Sequence, residues 1–462
     1  MNIARRELLV ALPGLLFITV LLVFAVSQPS APPAAPYAPP GTDTSTAAVP
    51  TDTPAGTLRC SHCPQRCALA DGDTGACGLF VRLGQAILAL RGDTPAARSA
   101  ARIMYGDIPA RDIPALTRAQ AVAAGLALHE AAWYDRLAGT RVRCGLCPFR
   151  CVLNSGQRGR CSVRLNLDGT LYALTYGKPL AVNVDPVEKK PLFHFQPGSR
   201  TFSLATAGCN LGCVFCQNWE LSQAFPESAR ARDVSPEQVV ALAEQYGCRS
   251  IAYTYSEPTV FFEYMRDTAR LARTRGLKNI WITAGFIEPA PLRELCGIID
   301  AANIDVKGFS EQFYRDYCHA SLAPVLRTVE ACQRAGVWVE ITYLVVPGGN
   351  DSDEMIGAFC RWLQGVGGGR IPLHFSRFFP NYQLRNQPPT PEAALVHAAE
   401  LATAAGHQFV YIGNLPGNTW QATRCPRGGE PLLERAGYTV TSQRLQGGHC
   451  PAHGDTIPGV WQ

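Results

Sequence analysis

Three closely spaced cysteines, Cys209, Cys213 and Cys216, form a C-x3-C-x2-C pattern directly after the apolar run Thr201 to Thr206. Three thiolates in one short loop can each bind a different iron of a cubane cluster, which leaves the fourth iron free for another ligand. A structural zinc site closes its shell with four ligands, and the nearest further candidate, His194, lies fifteen residues upstream of Cys209. The spacing therefore predicts a [4Fe-4S] cluster with one open iron, which is a catalytic arrangement.

The residues around this loop carry a family pattern. Phe215 precedes the last cysteine, Gln217 to Trp219 follow it, and the run Asp185 to Ser199 reads DPVEKKPLFHFQPGS. Over roughly Arg143 to Trp461 the sequence resembles the radical SAM enzyme of the AmmeMemoRadiSam system, a relative of the pyruvate formate-lyase activating enzymes. The resemblance implies that S-adenosylmethionine binds at the cluster and is cleaved reductively to a 5′-deoxyadenosyl radical, which abstracts hydrogen from a substrate that the sequence does not identify.

Two other functions stay open on the same residues. A glycyl-radical-enzyme activase is the nearest enzymatic alternative. The alternative from another class is a non-catalytic membrane-bound iron-sulfur electron carrier, because Ala284 and the C-terminal tail depart from the family pattern. Production of 5′-deoxyadenosine from S-adenosylmethionine separates an enzyme from a carrier.

Candidate cofactor ligands follow two predicted strands. Glu257 lies in the segment Tyr255 to Thr259, where the resemblance implies a carboxylate that accepts hydrogen bonds from the methionyl ammonium. Asp305 and Lys307 resemble the Asp-x-Lys of activating enzymes, which contacts the ribose and the carboxylate of the cofactor, and strand alternation places both side chains on one side. A helix-flanking surface glutamate and a solvated ion pair are the alternatives without a function.

The third strand departs from the family pattern. It ends in Thr283 and Ala284 where the family usually has threonine and asparagine, so an amide that can touch the ribose is missing, and Asn303 or Asn350 would have to compensate. The resemblance places Thr283, Asn350 and His374 among the cofactor-binding residues. His374 is also the one acid or base that we nominate on the substrate side, although a satisfied core histidine fits the sequence equally well.

A duplicated cysteine pattern precedes the loop. The spacing C-x2-C-x3-C-x9-C occurs twice, 84 residues apart, and the two copies also share Pro, Arg, Leu and Gly residues at equivalent positions. Four thiolates can close a tetrahedral zinc shell, which the short spacing favours, or hold a second cluster for electron relay. The two sets are Cys60, Cys63, Cys67 and Cys77, and Cys144, Cys147, Cys151 and Cys161.

The C-terminal tail holds a weaker metal pattern. The family commonly ends in a C-P-x-C and C-x2-C pair, which is typical of a zinc knuckle. Here Gly428 stands where the second cysteine is expected, and Cys450 is followed by His453. Cys425, Cys450 and His453 can still bind a metal with His449 or water, but this degenerate pattern does not establish a site by itself.

Alternating apolar runs and amphipathic segments after Thr201 predict the frame that positions these residues. Repeated strand and helix units indicate an α/β fold, and the resemblance implies a partial (β/α)6 TIM-like barrel with its chemistry at the carboxyl ends of the strands. Helices are predicted at Pro236 to Tyr246, after the N-cap Ser235, and at Thr259 to Arg275, while the Ala-rich segment Leu116 to Leu137 predicts one helix between the cysteine modules. The predicted strands are Thr201 to Thr206, Ser250 to Tyr255, Asn279 to Thr283, Ala302 to Val306, Trp338 to Val346, Leu373 to Phe378 and Phe409 to Ile412.

Composition excludes some classes of function. The chain has 462 residues, 47% of them apolar, which is enough for one large domain with appendages or for two to three domains. Its 42 basic and 37 acidic side chains give a net charge of +5, and no basic block with aromatic residues occurs, which argues against nucleic acid as a partner. The 18 cysteines cluster at gaps of two and three residues, as metal and cluster ligands do.

The N-terminus predicts a membrane anchor. Arg5 and Arg6 precede an uncharged segment from Leu8 to Ser27, which as a helix spans the roughly 30 Å of a bilayer core. Pro29 to Thr57 is rich in Pro, Ala, Ser and Thr and predicts an extended tether. We therefore expect a single-pass inner-membrane protein. The side of the membrane stays open, because the arginines favour an exported domain, whereas radical SAM chemistry draws on cytoplasmic supplies.

The resemblance implies partners as well as cofactors. AMMECR-type and Memo-type proteins are the expected partners, with flavodoxin or ferredoxin as an electron donor, and the cofactors are the [4Fe-4S] cluster, S-adenosylmethionine and possible zinc. The predicted division of the chain is an anchor at 1–28, a linker at 29–58, a first four-Cys module at 59–100, a helical connector at 101–140, a second four-Cys module at 141–199, the barrel at 200–415 and a Cys/His tail at 416–462.

Overall fold

The computed structural model describes residues 113–461 and the backbone of four short strands before them. These strands are β1 (Leu58–Arg59), β2 (Ala68–Leu69), β3 (Phe80–Leu83) and β4 (Ala86–Ala89), and they form two antiparallel pairs, β1 with β2 and β3 with β4. The four cysteines of the first module lie outside the described residues. Their role therefore stays a prediction.

The other strands and helices follow in chain order. The strands are β5 (His129–Glu130), β6 (Tyr134–Arg136), β7 (Val142–Cys144), β8 (Val152–Leu153), β9 (Arg164–Leu167), β10 (Thr170–Ala173), β11 (Ala181–Pro186), β12 (Arg200–Ala205), β13 (Ser250–Tyr253), β14 (Lys278–Thr283), β15 (Ala301–Asp305), β16 (Trp338–Val345), β17 (Leu373–Arg377), β18 (Val410–Gly413), β19 (Thr423–Arg424), β20 (Pro431–Ala436) and β21 (Thr439–Gln443). The α-helices are α1 (Arg118–Ala123), α2 (Trp219–Ser222), α3 (Pro236–Gln245), α4 (Phe262–Thr274), α5 (Pro289–Cys296), α6 (Glu311–Phe313), α7 (Leu322–Arg334), α8 (Asp353–Gly367) and α9 (Glu392–Ala404).

An eight-stranded sheet in the order β11 to β18 forms the frame of the molecule. β11 is antiparallel to β12, and the strands from β12 to β18 are parallel to one another. Helices α3, α4, α5, α7, α8 and α9 connect successive parallel strands, so six βα units build a partial barrel. The predicted α/β barrel fold is thereby confirmed, and each predicted strand lies within two residues of an observed one.

The predicted start of the first barrel helix is also confirmed. Ser235 caps α3 with a reciprocal pair of hydrogen bonds: the Gln238 N–H donates to Ser235 Oγ at 3.3 Å, and the Ser235 N–H donates to Gln238 Oε1 at 2.8 Å. Such a capping box satisfies two of the backbone donors that a helix start leaves unpaired. The second predicted helix divides into a 3-10 turn at Pro258–Phe261 and α4.

The prediction of one helix from Leu116 to Leu137 is wrong. α1 ends at Ala123, and Gly125 follows with φ at +65°, a left-handed conformation that commonly ends a helix. The chain then supplies β5, which pairs with β10, and β6, which pairs with β7. This segment therefore completes two small antiparallel sheets of the second cysteine module and is not a separate helical connector.

A buried ion pair joins this module to the barrel. Arg164 on β9 donates to Glu263 on α4 through Nη1 and Nη2, at 3.0 and 2.7 Å, and both side chains are 1% exposed. The backbone N–H of Ala132 donates to the same carboxylate at 2.8 Å. Three hydrogen bonds thus converge on Glu263, two from Arg164 on β9 and one from the segment that carries β5 and β6.

The C-terminal segment forms a separate antiparallel sheet, β19-β20-β21. It lies against the run that follows β11: Arg435 Nη2 donates to the carbonyl of Phe193 at 2.7 Å, and the Val460 N–H donates to the carbonyl of His194 at 2.7 Å. Phe193 also packs with residues of β18 and of the C-terminal sheet in one apolar cluster. These contacts fix the C-terminal sheet at the end of the barrel sheet.

Within residues 113–461, no helix combines the length and the apolar character needed to span a bilayer. The anchor predicted at Leu8 to Ser27 and the tether after it lie outside the described residues. Both stay predictions.

Candidate active site

A cavity of about 510 Å³ opens at the carboxyl ends of the parallel strands. This volume falls in the range of about 300–1,000 Å³ that is usual for small-molecule and cofactor sites. Every predicted catalytic or cofactor-binding residue except Asn350 lines it. These residues are Cys209, Cys213, Cys216, Glu257, Thr283, Asp305, Lys307 and His374.

Backbone contacts fix the cysteine loop on one wall of the cavity. The N–H groups of Gly212 and Val214 donate, at 3.0 and 2.9 Å, to carbonyls of the π-helical turn Tyr314–Cys318. Residue 208 requires glycine, because its φ is +93° and a Cβ there would lie 2.6 Å from the carbonyl oxygen of Cys161. The loop that carries the three cysteines is thus pressed directly against the second four-Cys module.

The protonation of the three thiols bears on what they can bind. Burial raises the pKa of Cys209 and Cys216 above the ordinary value, whereas a hydrogen bond with the Cys318 thiol lowers the pKa of Cys213. A thiol with a raised pKa becomes a thiolate readily only when a bound cation stabilises the charge. Among the described residues, no fourth cysteine lines the cavity. The donor set therefore fits a cluster with one open iron.

Glu257 is held rigidly at the end of β13 and is only 2% exposed. Its Oε1 accepts hydrogen bonds from the N–H and hydroxyl of Thr259, at 3.0 and 2.6 Å, and from the hydroxyl of Thr283 at 2.7 Å. Its Oε2 accepts one bond, from the N–H of Ala284 at 2.8 Å, and keeps a lone pair for a ligand cation. Burial raises the pKa of Glu257 in spite of these bonds. The surface-glutamate alternative is wrong, and Thr283 serves to position this carboxylate.

Asp305 and Lys307 lie on the same side of the chain, as strand alternation predicts. Lys307 Nζ lies 2.6 Å from Asp305 Oδ2, and both side chains face the cavity. Burial by itself lowers the pKa of Lys307, but the Asp305 carboxylate outweighs this, so the net pKa lies above the ordinary value. The Lys307 side chain is 17% exposed and that of Asp305 is 31% exposed, so this is a partly buried charged pair rather than a freely solvated one.

Asn350 does not line the cavity, so the structure contradicts its prediction as a cofactor ligand. Its Oδ1 accepts from the N–H of Val346 at 2.7 Å, and its Nδ2 donates to the carbonyls of Lys307 and Leu344 at 2.6 and 2.7 Å. The carboxamide is used up in tying the end of β16 to the segment after β15. It therefore cannot compensate for Ala284.

Asn303 also lies outside the cavity wall and is only 1% exposed. Its Nδ2 donates to the carbonyl of Pro191 at 2.7 Å, and its Oδ1 accepts from the Thr342 hydroxyl at 2.8 Å. Ala284 itself lines the cavity. Neither asparagine therefore lies where its amide could replace the one missing from the third strand.

His374 lies in the cavity wall and is also part of a buried network. Its Nε2 lies 2.7 Å from Glu340 Oε2, and its ring is in contact with the rings of Phe193 and Tyr411, at centroid distances of 4.8 and 5.0 Å. Glu340 Oε2 further accepts from the N–H of Phe193 at 2.9 Å. The two sequence interpretations of His374, a site residue and a satisfied core histidine, thus both describe part of its surroundings.

Lys190, a charged residue that was not predicted from the sequence, also lines the cavity. Lys190 Nζ lies 2.7 Å from Asp185 Oδ2 and 4.3 Å from the centre of the Tyr255 ring, and the Tyr255 hydroxyl donates to the same carboxylate. Burial lowers the pKa of Lys190 to about 8. Tyr255 has φ at +62°, which is uncommon for a residue with a large side chain. The only sequence feature that pointed to Lys190 is its place in the run Asp185 to Ser199, which carries the family resemblance.

The second four-Cys module adjoins the cysteine loop. Cys144 ends β7, Cys147 and Cys151 lie between β7 and β8 and Cys161 precedes β9. Burial raises the pKa of all four thiols, that of Cys144 to about 12. Such thiols deprotonate when a metal binds. That these four cysteines bind zinc or a second cluster stays a prediction.

Comparison with known proteins places this geometry in context. The profile of the Radical SAM superfamily matches residues 203–362, from β12 into α8. An uncharacterized protein of Methanocaldococcus jannaschii is 45% identical over 308 residues, which are 67% of this chain and 92% of that protein. The pyruvate formate-lyase 1-activating enzyme of Escherichia coli K12 is 25% identical over 178 residues, 37% of this chain and 72% of the enzyme. The crystal structure of a domain of a pyruvate-formate lyase-activating enzyme from Bacteroides vulgatus aligns with a TM-score of 0.32 and 16% identity over 36% of this chain and 99% of that one.

Proposed function

The chain belongs to the radical SAM superfamily, and we propose that it is a radical SAM enzyme of the AmmeMemoRadiSam type. Membership implies a [4Fe-4S] cluster and S-adenosylmethionine as cofactors. When bound, these supply a 5′-deoxyadenosyl radical for hydrogen abstraction from the substrate. The observation that carries the proposal is the convergence of the cysteine loop, Glu257, Asp305 and Lys307 on one cavity at the carboxyl ends of the strands.

Each of these residues has a task that its surroundings support. The three cysteines would hold the cluster. Glu257, fixed by Thr259 and Thr283, presents Oε2 to the methionyl ammonium. The partly buried pair of Asp305 and Lys307 offers an acceptor for ribose hydroxyls and a cation for the methionyl carboxylate.

The AmmeMemoRadiSam subtype is supported by the run Asp185 to Ser199. In the structure its residues Glu188 to Pro191 and Phe193 form part of the cavity wall together with the cysteine loop. Because these residues line the cavity, the run can contact the substrate as well as contribute to the core. Lys190, whose pKa burial lowers, is the chain's own candidate for a polar contact with the substrate.

Formation of 5′-deoxyadenosine tests the function. We expect the full chain, reconstituted anaerobically with iron and sulfide and reduced with dithionite, to convert S-adenosylmethionine into methionine and 5′-deoxyadenosine, measured by chromatography. The control omits dithionite, because cleavage requires an electron. A brown, cluster-loaded protein that forms no 5′-deoxyadenosine would identify the chain as an electron carrier instead.

The third strand offers a test of the ribose contact. Because Ala284 lines the cavity and neither Asn303 nor Asn350 does, Ala284→Asn is expected to tighten S-adenosylmethionine binding roughly 2- to 10-fold, which corresponds to the net value of about 0.5–1.5 kcal/mol for one hydrogen bond. Equilibrium binding to the reconstituted protein measures the change. Ala284→Leu, of similar volume but without the amide, is the matched control. Equal tightening by both variants would assign the effect to packing, and an unchanged dissociation constant for Ala284→Asn would show that the side chain does not reach the ribose.

A glycyl-radical-enzyme activase is the second candidate function. It is favoured by the similarity to the Escherichia coli pyruvate formate-lyase 1-activating enzyme over 178 residues. An activase transfers the radical to a partner protein, so a glycyl radical detected by electron paramagnetic resonance in that partner distinguishes it from an enzyme that acts on a small substrate.

Partners and location belong to the same proposal. AMMECR-type and Memo-type proteins are the proposed partners, and flavodoxin or ferredoxin the proposed electron donor. The uncharged segment from Leu8 to Ser27 supports a single-pass anchor in the inner membrane. The balanced charge of the chain supports no role for nucleic acid.

A further inference from the structure

Four potential metal ligands meet in the C-terminal sheet, outside the cavity described above. Cys425 follows β19, and Cys450 and His453 follow β21, while Glu430 immediately precedes β20. The donor atoms of all four side chains lie within 4.8 Å of one another. Cys425 and Cys450 are 2% and 1% exposed, so both thiols are withdrawn from solvent.

The distances around His453 match those of a tetrahedral zinc ion. His453 Nδ1 lies 3.5 Å from Cys425 Sγ and 3.6 Å from Cys450 Sγ. Zinc–sulfur bonds of about 2.3 Å and zinc–nitrogen bonds of about 2.0–2.1 Å in tetrahedral geometry place the two donor atoms roughly 3.5 Å apart. The donor atoms of Cys425, Cys450 and His453 are thus spaced as three ligands of one zinc ion would be.

Glu430 lies beside these three side chains. Its Oε1 lies 2.9 Å from Cys450 Sγ and 3.0 Å from His453 Nδ1, at hydrogen-bond distance from both. A carboxylate oxygen is an accepted zinc ligand beside cysteine and histidine. Two cysteines, one histidine and one glutamate are therefore close enough to supply all four ligands of one zinc ion.

Gly428 explains why the degenerate sequence pattern still yields a site. A Cβ at residue 428 would overlap the Glu430 carboxylate and the His453 ring. The glycine that replaces the expected cysteine thus vacates the space that these two side chains occupy. The sequence pattern includes Cys425, Cys450 and His453 but not Glu430.

Two neighbouring side chains are competitors for the fourth position. His449, the ligand suggested by the sequence, is exposed, and its Nδ1 lies 3.3 Å from the Thr456 hydroxyl. Asp455 Oδ2 lies 3.7 Å from Cys425 Sγ, but its other oxygen pairs with Arg427 Nη2 at 2.6 Å. Glu430 is the one that contacts two members of the group.

We propose that Cys425, Glu430, Cys450 and His453 bind one structural zinc ion that ties the residues after β19 to those after β21. The hairpin between them, β20 and β21, turns at Gly437 and Tyr438, and both residues line the cavity. Zinc at this position fixes a wall of the active site without touching the reacting groups. A shell of four protein ligands is the mark of a structural site, whereas catalytic zinc keeps an open position.

Metal content of the purified full chain tests the proposal. Zinc and iron per chain are measured by plasma mass spectrometry in wild type, Cys450→Ser and Glu430→Gln, with His449→Gln and Asp455→Asn as matched controls. We expect Cys450→Ser to lose one zinc per chain relative to wild type with its iron unchanged. Because only differences between variants are used, metal in the four-Cys modules cancels.

Glu430→Gln separates ligation from folding, because this side chain is 30% exposed and the substitution preserves its shape. We expect it to speed zinc release to a chelator at least about tenfold, since even indirect partners of a metal ligand are worth 10- to 100-fold in affinity. The controls should release zinc at the wild-type rate. Unchanged zinc in Cys450→Ser, loss of iron in place of zinc, or faster release from His449→Gln but not from Glu430→Gln would each overturn the proposal.

Discussion

Cys213→Ala is expected to abolish cluster assembly and cleavage of S-adenosylmethionine together. The loop offers one thiolate for each of three irons, and two thiolates are not enough to hold the cubane. Among the described residues, no other cysteine lines the cavity, so no thiol of its wall can take the vacant place. Iron and acid-labile sulfide, the visible absorption of the cluster and 5′-deoxyadenosine formation are the measurements, and all of them should fall to background.

Cys318→Ala is the matched control for this variant. The Cys318 thiol is fully buried, and its hydrogen bond with Cys213 means that both variants change almost the same place. Cys318 lies outside the C-x3-C-x2-C pattern and outside the cavity wall, so we expect Cys318→Ala to keep its iron and its activity. Retained cleavage of S-adenosylmethionine in Cys213→Ala would contradict the assignment of the three cysteines as cluster ligands. Equal iron loss in both variants would show that local packing, not ligation, holds the cluster.

The barrel was predictable from sequence because parallel strands buried on both faces stand out as short apolar runs separated by amphipathic helices. β11 was missed because it is an edge strand: its residues are mostly half-buried, it ends in Pro186, and the 3-10 turn Val187–Lys189 follows it in place of an α-helix. Leu116 to Leu137 was misjudged for a related reason. Its alanines suit a helix locally, but pairing of β5 and β6 with distant strands decides its structure.

The candidate site divides in the same way. Cys209, Glu257, Asp305 and Lys307 line the cavity as predicted, because their positions at loop or strand ends suffice to place them there. Asn350 shares such a position, but three hydrogen bonds to backbone groups consume its carboxamide, and no local pattern reveals that.

Other members of the two sites depend on contacts between distant parts of the chain. Lys190 reaches the cavity through Asp185 and Tyr255, and Glu430 reaches its metal group through Cys450 and His453. Contacts of this kind require the folded structure.

Glu263→Leu is expected to destabilise the folded chain by about 3–5 kcal/mol, the usual cost of removing one partner from a buried ion pair. The substitution leaves Arg164, whose side chain is 1% exposed, without its two charge-assisted hydrogen bonds, and it strips the acceptor from the Ala132 N–H. Burial lowers the pKa of Arg164, but Glu263 and the nearby thiols of Cys144 and Cys161 raise it, so the net pKa lies above the ordinary value. The unpaired charge therefore lies at the contact between the second four-Cys module and the barrel, and we expect it to destabilise that contact. Urea unfolding of the full chain under anaerobic conditions measures the loss.

Two further variants show whether charge burial is the cause. The double variant Arg164→Met with Glu263→Leu removes both charges and is expected to recover much of the loss, because well-packed apolar side chains often replace a buried ion pair at little cost. Glu244→Leu breaks the pair with Arg275, whose side chains are 33% and 57% exposed, and should change stability by about 0–1 kcal/mol. A double variant as unstable as Glu263→Leu would show that the carboxylate matters for its bond to the Ala132 N–H and not for the charge of Arg164. A loss in Glu263→Leu no larger than in Glu244→Leu would mean that the module and the barrel are held together by their apolar contacts alone.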